Sequence, residues 1–160
     1  MCSSDLPRNY LLRLETADAL VALAGVKRKE KDFAGAVQSE KEAFATFDEL
    51  LRDRNVRDSA ARALDLIHFK YGEALLTAGQ LDRAAKEFLT AAEVKGAEPG
   101  LATMAHLYAA HALDLAGKRN DALAQYRVVL SRPDVYDAHE EAQEGLKEPF
   151  KKEAIKKSEE

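Results

Sequence analysis

Two amphipathic stretches joined at a single glycine, within residues 65–99, restrict this chain more than any other feature. Leu64, Ile67, His68, Tyr71, Gly72 and Leu75 follow the 3.6-residue period of a helix with one apolar stripe, and Leu81, Ala84, Ala85, Phe88, Ala91 and Ala92 do the same. Gly79 between them can take the left-handed conformation that ends a helix. Only Gln80 then precedes the second stripe, so the two helices are expected to lie side by side and antiparallel. Gly72 stands in mid-helix, where glycine costs about 1 kcal/mol against alanine, which predicts that a second backbone presses on it. Small Ala84 and Ala91 alternate with large Leu81 and Phe88, as two interdigitating helix faces require.

The pattern returns. Thirty-eight residues on, Ala110, Leu113, Gly117, Ala122, Tyr126 and Val129 take the places of Gly72, Leu75, Gly79, Ala84, Phe88 and Ala91, and His106 takes that of His68. Forty-eight residues upstream of Gly79 lies a weaker copy with Ala24, Ala36 and Ala43 in place, but Lys31 for the glycine and Glu40 for the aromatic. A unit of this kind cannot bury its apolar face alone, so copies must stack. The longer upstream interval predicts that the hairpin of the second and third helices extends about two turns per helix beyond the usual unit. This pattern resembles the tetratricopeptide repeat, with small residues at Gly72, Ala84 and Ala91, a glycine at Gly79 and an aromatic at Phe88. Two positions depart from it, His68 for the usual tryptophan and Leu75 for the usual tyrosine.

The resemblance implies an all-α, right-handed superhelical array of about three antiparallel helical hairpins plus a C-terminal capping helix. In that family the first helix of each hairpin lines a concave groove for an extended peptide or a partner helix. The matching positions are Asp18, Val21, Gly25 and Arg28 in the first repeat and Leu66, Phe69, Glu73 and Leu76 in the second. In the third they are Met104, Leu107, His111 and Asp114, with Tyr108 beside them. Phe69, Glu73, Leu76, Met104, Tyr108 and His111 are therefore the expected partner-binding residues. Phe69, Leu76, Met104 and Tyr108 in particular are large side chains left without a stacking role, and such residues mark a partner surface. The alternative is that the terminal helix folds back over them. Family members that clamp the acidic tails of chaperones use lysine, asparagine and arginine where this chain has Val21, Gly25, Lys70, Met104 and Tyr108, so that partner is not expected.

The remaining segments fit an array. Lys27, Arg28, Lys29 and Lys31 close the first helix, where cations suit the negative end of the helix dipole. With no aromatic residues among them and a chain of net charge −4, they do not read as a nucleic-acid patch. Glu40 interrupts the stripe of Phe33, Val37, Phe44, Phe47 and Leu51, which predicts a structural ion pair with the facing Lys27. Pro99 is placed to start a helix, Pro133 ends one, and Asp137 opens the capping helix of Ala138, Ala142 and Leu146. The whole net charge lies in residues 134–160, with nine acidic and five basic side chains.

Residues 7–150 are thus expected to form the repeat domain, with a polar tail at 151–160. Residues 1–6 are set apart, because Cys2, Ser3, Ser4, Asp5 and Leu6 are what TGCTCTTCCGATCT encodes, a string resembling the end of a sequencing adapter. A genuine short polar leader is the alternative.

Sites of chemistry are lacking: there is no glycine-rich phosphate loop, no G-x-S-x-G, no H-E-x-x-H and no cysteine pair. His106 and His111, five apart, diverge on a helix. His68 and His106 hold equivalent inward positions that predict core packing with one ring nitrogen bonded, and His139 is expected in solvent. No catalytic residue, metal or cofactor is expected. No run approaches 18 apolar residues, so no membrane span is expected, and a soluble protein of cytoplasm or periplasm fits. The functional expectation is a protein-binding scaffold. The alternative is a non-catalytic accessory region of a larger, truncated bacterial enzyme, since residues 114–130 and 145–150 resemble C-terminal repeats of long bacterial proteins. Homo-oligomerisation through an open N-terminal end, at Tyr10, Leu11 and Leu14, is compatible with either.

Overall fold

A computed structural model describes residues 6–53, 56 and 61–151 of the chain. Among them are seven helices and no strand: α1 (Leu6–Lys29), α2 (Phe33–Arg52), α3 (Ala61–Thr77), α4 (Leu81–Glu93), α5 (Pro99–Leu115), α6 (Arg119–Leu130) and α7 (Ala138–Lys147). Apart from Leu6, the segment set apart at the N-terminus lies outside the described residues. So does the polar tail beyond Lys151, and so does the expected start of α3 except Val56.

One turn, used three times, sets the hairpins. Gly79 and Gly117 have φ of 78° and 76°, and Lys31 takes the same left-handed conformation at 66° although it carries a side chain. At each turn the next residue donates its N–H to a carbonyl five residues back, with Asp32 to Lys27, Gln80 to Leu75 and Lys118 to Leu113 all at 2.8 Å. The left-handed residue itself donates three back, to Arg28, Leu76 and Asp114 at 3.0–3.1 Å. This double bond pattern is the Schellman stop, which satisfies carbonyls left free at a helix end. The three stops fall between α1 and α2, α3 and α4, and α5 and α6. At the first of them, Asp32 adds a side-chain cap, accepting from the Gly35 N–H at 2.9 Å. Pro99 opens α5 at its first turn, and the Glu98 carboxylate accepts from the N–H groups of Gly100 and Leu101 at 3.0 and 2.6 Å. Those two bonds hold its pKa below the usual carboxylate value.

Each helix packs on the next in sequence. The odd-numbered helices also pack on one another in order, α1 on α3, α3 on α5 and α5 on α7, whereas the even-numbered helices do not approach one another so closely, and α2 and α4 meet through the Arg83 guanidinium over the Phe44 ring at 5.9 Å. The odd helices therefore form one continuous row, termed the inner row below, and the even helices lie along it without a continuous row of contacts of their own.

Between the odd and even helices lies the core. Phe47, Tyr71, Phe88 and Tyr126 are wholly or almost wholly buried, and burial of a phenylalanine side chain contributes about 1.5–3 kcal/mol. Phe47 stacks on Tyr71 at 4.9 Å, and the Tyr71 hydroxyl donates to Asp48 and accepts from Arg83. Gly72 faces a side chain, not the expected backbone: a Cβ there would lie 2.7 Å from Cδ1 and Cε1 of Phe88. Gly145 plays the matching part in α7, where a Cβ would overlap the Tyr126 ring.

The expected Lys27–Glu40 pair is replaced by a neighbour. Arg28 donates to Glu40 Oε1 from Nε and Nη2, at 3.1 and 2.6 Å, while Lys27 meets α2 earlier and donates to Ser39 Oγ and the Gly35 carbonyl. The guanidinium offers two donors in one plane, which a nearly buried carboxylate uses better than a single ammonium.

Candidate functional site

The inner row is the surface on which the expected partner-binding residues can be located. Its charged centre is formed by Lys70, which lies 3.7 Å from Asp18 on α1 and 3.3 Å from Glu73 on its own helix. Burial pushes the Glu73 carboxyl up, with Lys70 opposing; Lys70 is itself raised, because Glu73 and Asp18 outweigh its own desolvation. Tyr108, on α5, is raised first by burial and then by the carboxylates of Glu73 and Glu141. Glu141, on α7, is raised by burial and by Glu144, Asp137 and Glu140. Asp18, Lys70, Glu73, Tyr108 and Glu141 thus form one electrostatically linked strip across four inner helices.

Of the six expected residues, Glu73, Leu76, Met104 and Tyr108 are half-buried, and the three apolar ones pack against the core while keeping part of their surface free. The other two, Phe69 and His111, are buried. Phe69 is only 8% exposed and sits edge-on to both Phe88 (5.4 Å) and Tyr108 (5.5 Å), so it has a core role. An inner helix of an array is packed on both flanks as well as behind, and a stripe beside the main apolar stripe is buried with it. Leu107, 1% exposed, is buried too.

His111 is 4% exposed because the chain beyond α7 returns to cover it. The Phe150 ring lies flat on the imidazole, with centroids 3.8 Å apart and planes 12° from parallel. The Phe150 N–H donates to Asp114 Oδ2 at 2.9 Å. Asp114, whose side chain has no exposed surface, also accepts from Arg119 Nη1 at 3.0 Å on both oxygens and from the Tyr126 hydroxyl at 2.9 Å. Arg119 in turn donates to the Leu146 carbonyl at 3.2 Å, tying α7 to the same group. Burial pushes the His111 imidazole down to about 4, with Asp114 opposing, so the ring is neutral at pH 7 and its face is open to stacking. Glu141 Oε2, 3.8 Å from its Nε2, is too distant for a hydrogen bond. Burial and the bond to Asp114 raise the Tyr126 hydroxyl strongly. The alternative weighed above placed the terminal helix over Phe69, Leu76, Met104 and Tyr108; the cover described here is instead the extended segment after α7, and it lies over His111. No signal in the sequence marks it, since residues 148–150 carry no periodicity.

The other histidines are bonded. His68 Nδ1 lies 2.7 Å from Glu87 Oε2 and His106 Nδ1 lies 2.9 Å from Gln125 Oε1, the same arrangement 38 residues apart. His139, expected in solvent, donates from Nε2 to the Arg132 carbonyl at 2.8 Å. Among the described residues no group of three or more His, Cys, Asp or Glu side chains is placed to hold a metal ion. No helix among them is long and apolar enough to cross a membrane.

The end of the array differs from the expectation in detail. Leu14 is buried and Tyr10 half-buried against the core; the exposed apolar side chains of the first hairpin are Leu11, Leu12, Leu23, Val26, Phe33 and Val37. No protein-family model, curated protein or solved structure matches this chain.

Proposed function

We propose that this chain is a protein-protein interaction module of the tetratricopeptide-repeat kind, a right-handed superhelical array of three hairpins with α7 as its cap. It binds an extended peptide or a partner helix along its inner row and has no catalytic role. The observation that carries this reading is the seating of residues 148–151 at one end of that row. There the main chain of an extended segment bonds Asp114 and its aromatic side chain stacks on His111. Leu76, Met104 and Tyr108 supply apolar contact along the rest of the row, and Lys70, Glu73 and Asp18 supply polar selectivity. The carboxylates of Asp18, Glu73 and Glu141 on this face disfavour a phosphate backbone, so a nucleic acid is not the proposed ligand.

Panning of a random dodecapeptide library tests the reading, with the Leu76→Glu/Met104→Glu variant as counter-target. Peptides that bind the unsubstituted protein and lose at least tenfold affinity for the variant are expected. Selection of peptides indifferent to both substitutions, or of none, contradicts it. Self-association through the first hairpin, favoured by exposed Leu12, Leu23, Val26, Phe33 and Val37, is compatible with this function.

A further inference from the structure

The segment after α7 is held by few contacts, each of a kind that a peptide ligand makes. The last backbone bond of α7 runs from Glu148 N–H to the Glu144 carbonyl, and Glu148 then turns extended, with φ −134° and ψ 146°. Glu148 and Lys151 are exposed and, among the described residues, pair with each other at 3.9 Å. Phe150 is half-buried, gripped at its N–H by Asp114 and at its ring by His111.

Departure of this segment leaves nothing orphaned. Asp114 Oδ2 keeps Arg119 Nη1 at 3.0 Å and the Tyr126 hydroxyl at 2.9 Å, so the buried carboxylate remains neutralised and hydrogen-bonded. The surface uncovered is the face of the His111 ring, which Tyr108 meets edge-on at 5.9 Å and buried Tyr126 backs at 6.0 Å. A ring face held beside a fixed acceptor for a main-chain N–H suits an aromatic residue in an extended chain, because only such a residue makes both contacts together.

We infer that residues 148–151 are an internal ligand: Phe150 occupies in cis the subsite where an extended peptide bearing an aromatic side chain binds between His111 and Asp114, and so regulates the groove. The inference rests on the peptide-groove reading above and adds to it the identity of one subsite and its occupant. Tethering gives Phe150 a high effective concentration, so a competing peptide must bind at further positions along the row, such as Leu76 and Met104, to displace it. The chain thereby excludes ligands that offer an aromatic residue alone.

Two measurements test this. In native-state hydrogen exchange of the unsubstituted protein, the Phe150 amide is expected to be protected at least tenfold relative to a free peptide, yet to exchange at least a hundredfold faster than the amides of Leu113 and Val129. Exchange in step with those core amides would make the segment a fixed part of the core, and absence of protection would mean that it is not bound; either overturns the inference. In the second, Phe150→Ala is titrated with the peptide Ac-Glu-Pro-Phe-Lys-NH2 and with its alanine counterpart, following the His111 ring protons by NMR. The phenylalanine peptide is expected to give a saturating shift at least tenfold more readily than the alanine peptide, and the unsubstituted protein to need at least tenfold more of it. Absence of a shift, or equal response of the two proteins, overturns the inference, as does failure of Phe150→Ala to fold. Library peptides that bind both proteins equally and leave His111 unmoved would keep the groove reading while overturning this one.

Discussion

Gly72 and Gly25 make a matched pair that isolates one packing contact. Both are helical, and alanine at either removes the glycine penalty of about 1 kcal/mol in a helix interior. Around Gly25 a Cβ would meet nothing within 4 Å, so Gly25→Ala should stabilise by about 0.5–1 kcal/mol. At Gly72 the same Cβ would lie 2.7 Å from two ring carbons of Phe88 and 3.0 Å from a third, where carbon atoms prefer about 3.5–4.0 Å. Phe88 has no exposed surface and is flanked by Phe69 and Tyr108, so the ring cannot retreat without moving both. Overpacking of this kind costs about 1–3 kcal/mol. Because the propensity gain is common to both variants, the difference between them is the packing cost itself. With a urea dependence of about 2 kcal/mol per molar, it should separate their unfolding midpoints by about 0.5–1.5 M. The double variant Gly72→Ala/Phe88→Leu should recover part of the loss, as contacting sites do. Equal upward shifts for Gly25→Ala and Gly72→Ala would refute the reasoning, because they would show that no ring fills the space beside Gly72.

Two further outcomes follow from the Asp114 cluster. His111 is held neutral by burial, with its folded value at about 4 against 6.5 when unfolded, so the unfolded chain takes up the proton first and stability falls as pH drops through that window. Between pH 7.5 and pH 5 the loss should be about 2 kcal/mol from this group, and His111→Phe should flatten the urea midpoint over that range; an unchanged pH dependence would contradict it. Asp114→Ala leaves Arg119 and the Tyr126 hydroxyl without their shared acceptor and should cost about 3–5 kcal/mol, read as a lowered midpoint; a change under 1 kcal/mol would show that the cluster is not structural.

What the sequence made legible was local. Gly79 and Gly117 announce their turns because glycine alone takes a left-handed conformation without strain, and alanines spaced with the helical period mark the faces that close on a neighbour. Lys31 turns the same way, which its identity does not suggest; only its place 48 residues before Gly79 does. The substitution periods also carried the bonded His68 and His106. Phe69 was misplaced because periodicity gives the helix but not the number of sides from which it is packed, and Phe88 and Tyr108 arrive from two different helices. Gly72 showed that something presses on it without showing whether backbone or ring. Phe150 was missed for a different reason: its two contacts, to Asp114 and His111, join a segment without periodicity to a helix some 36 residues earlier. With Phe69 in the core, a substitution there would test folding and binding together, which is why Leu76 and Met104 serve as the probes of the inner row.

The most direct test of the central claim is an amide chemical-shift map of the unsubstituted protein on addition of a library-selected peptide. The account predicts perturbations running along the inner row through Lys70, Glu73, Leu76, Met104 and Tyr108, with Phe150 shifted toward its free position. A map centred on α2, α4 and α6, with the inner row unmoved, would contradict it.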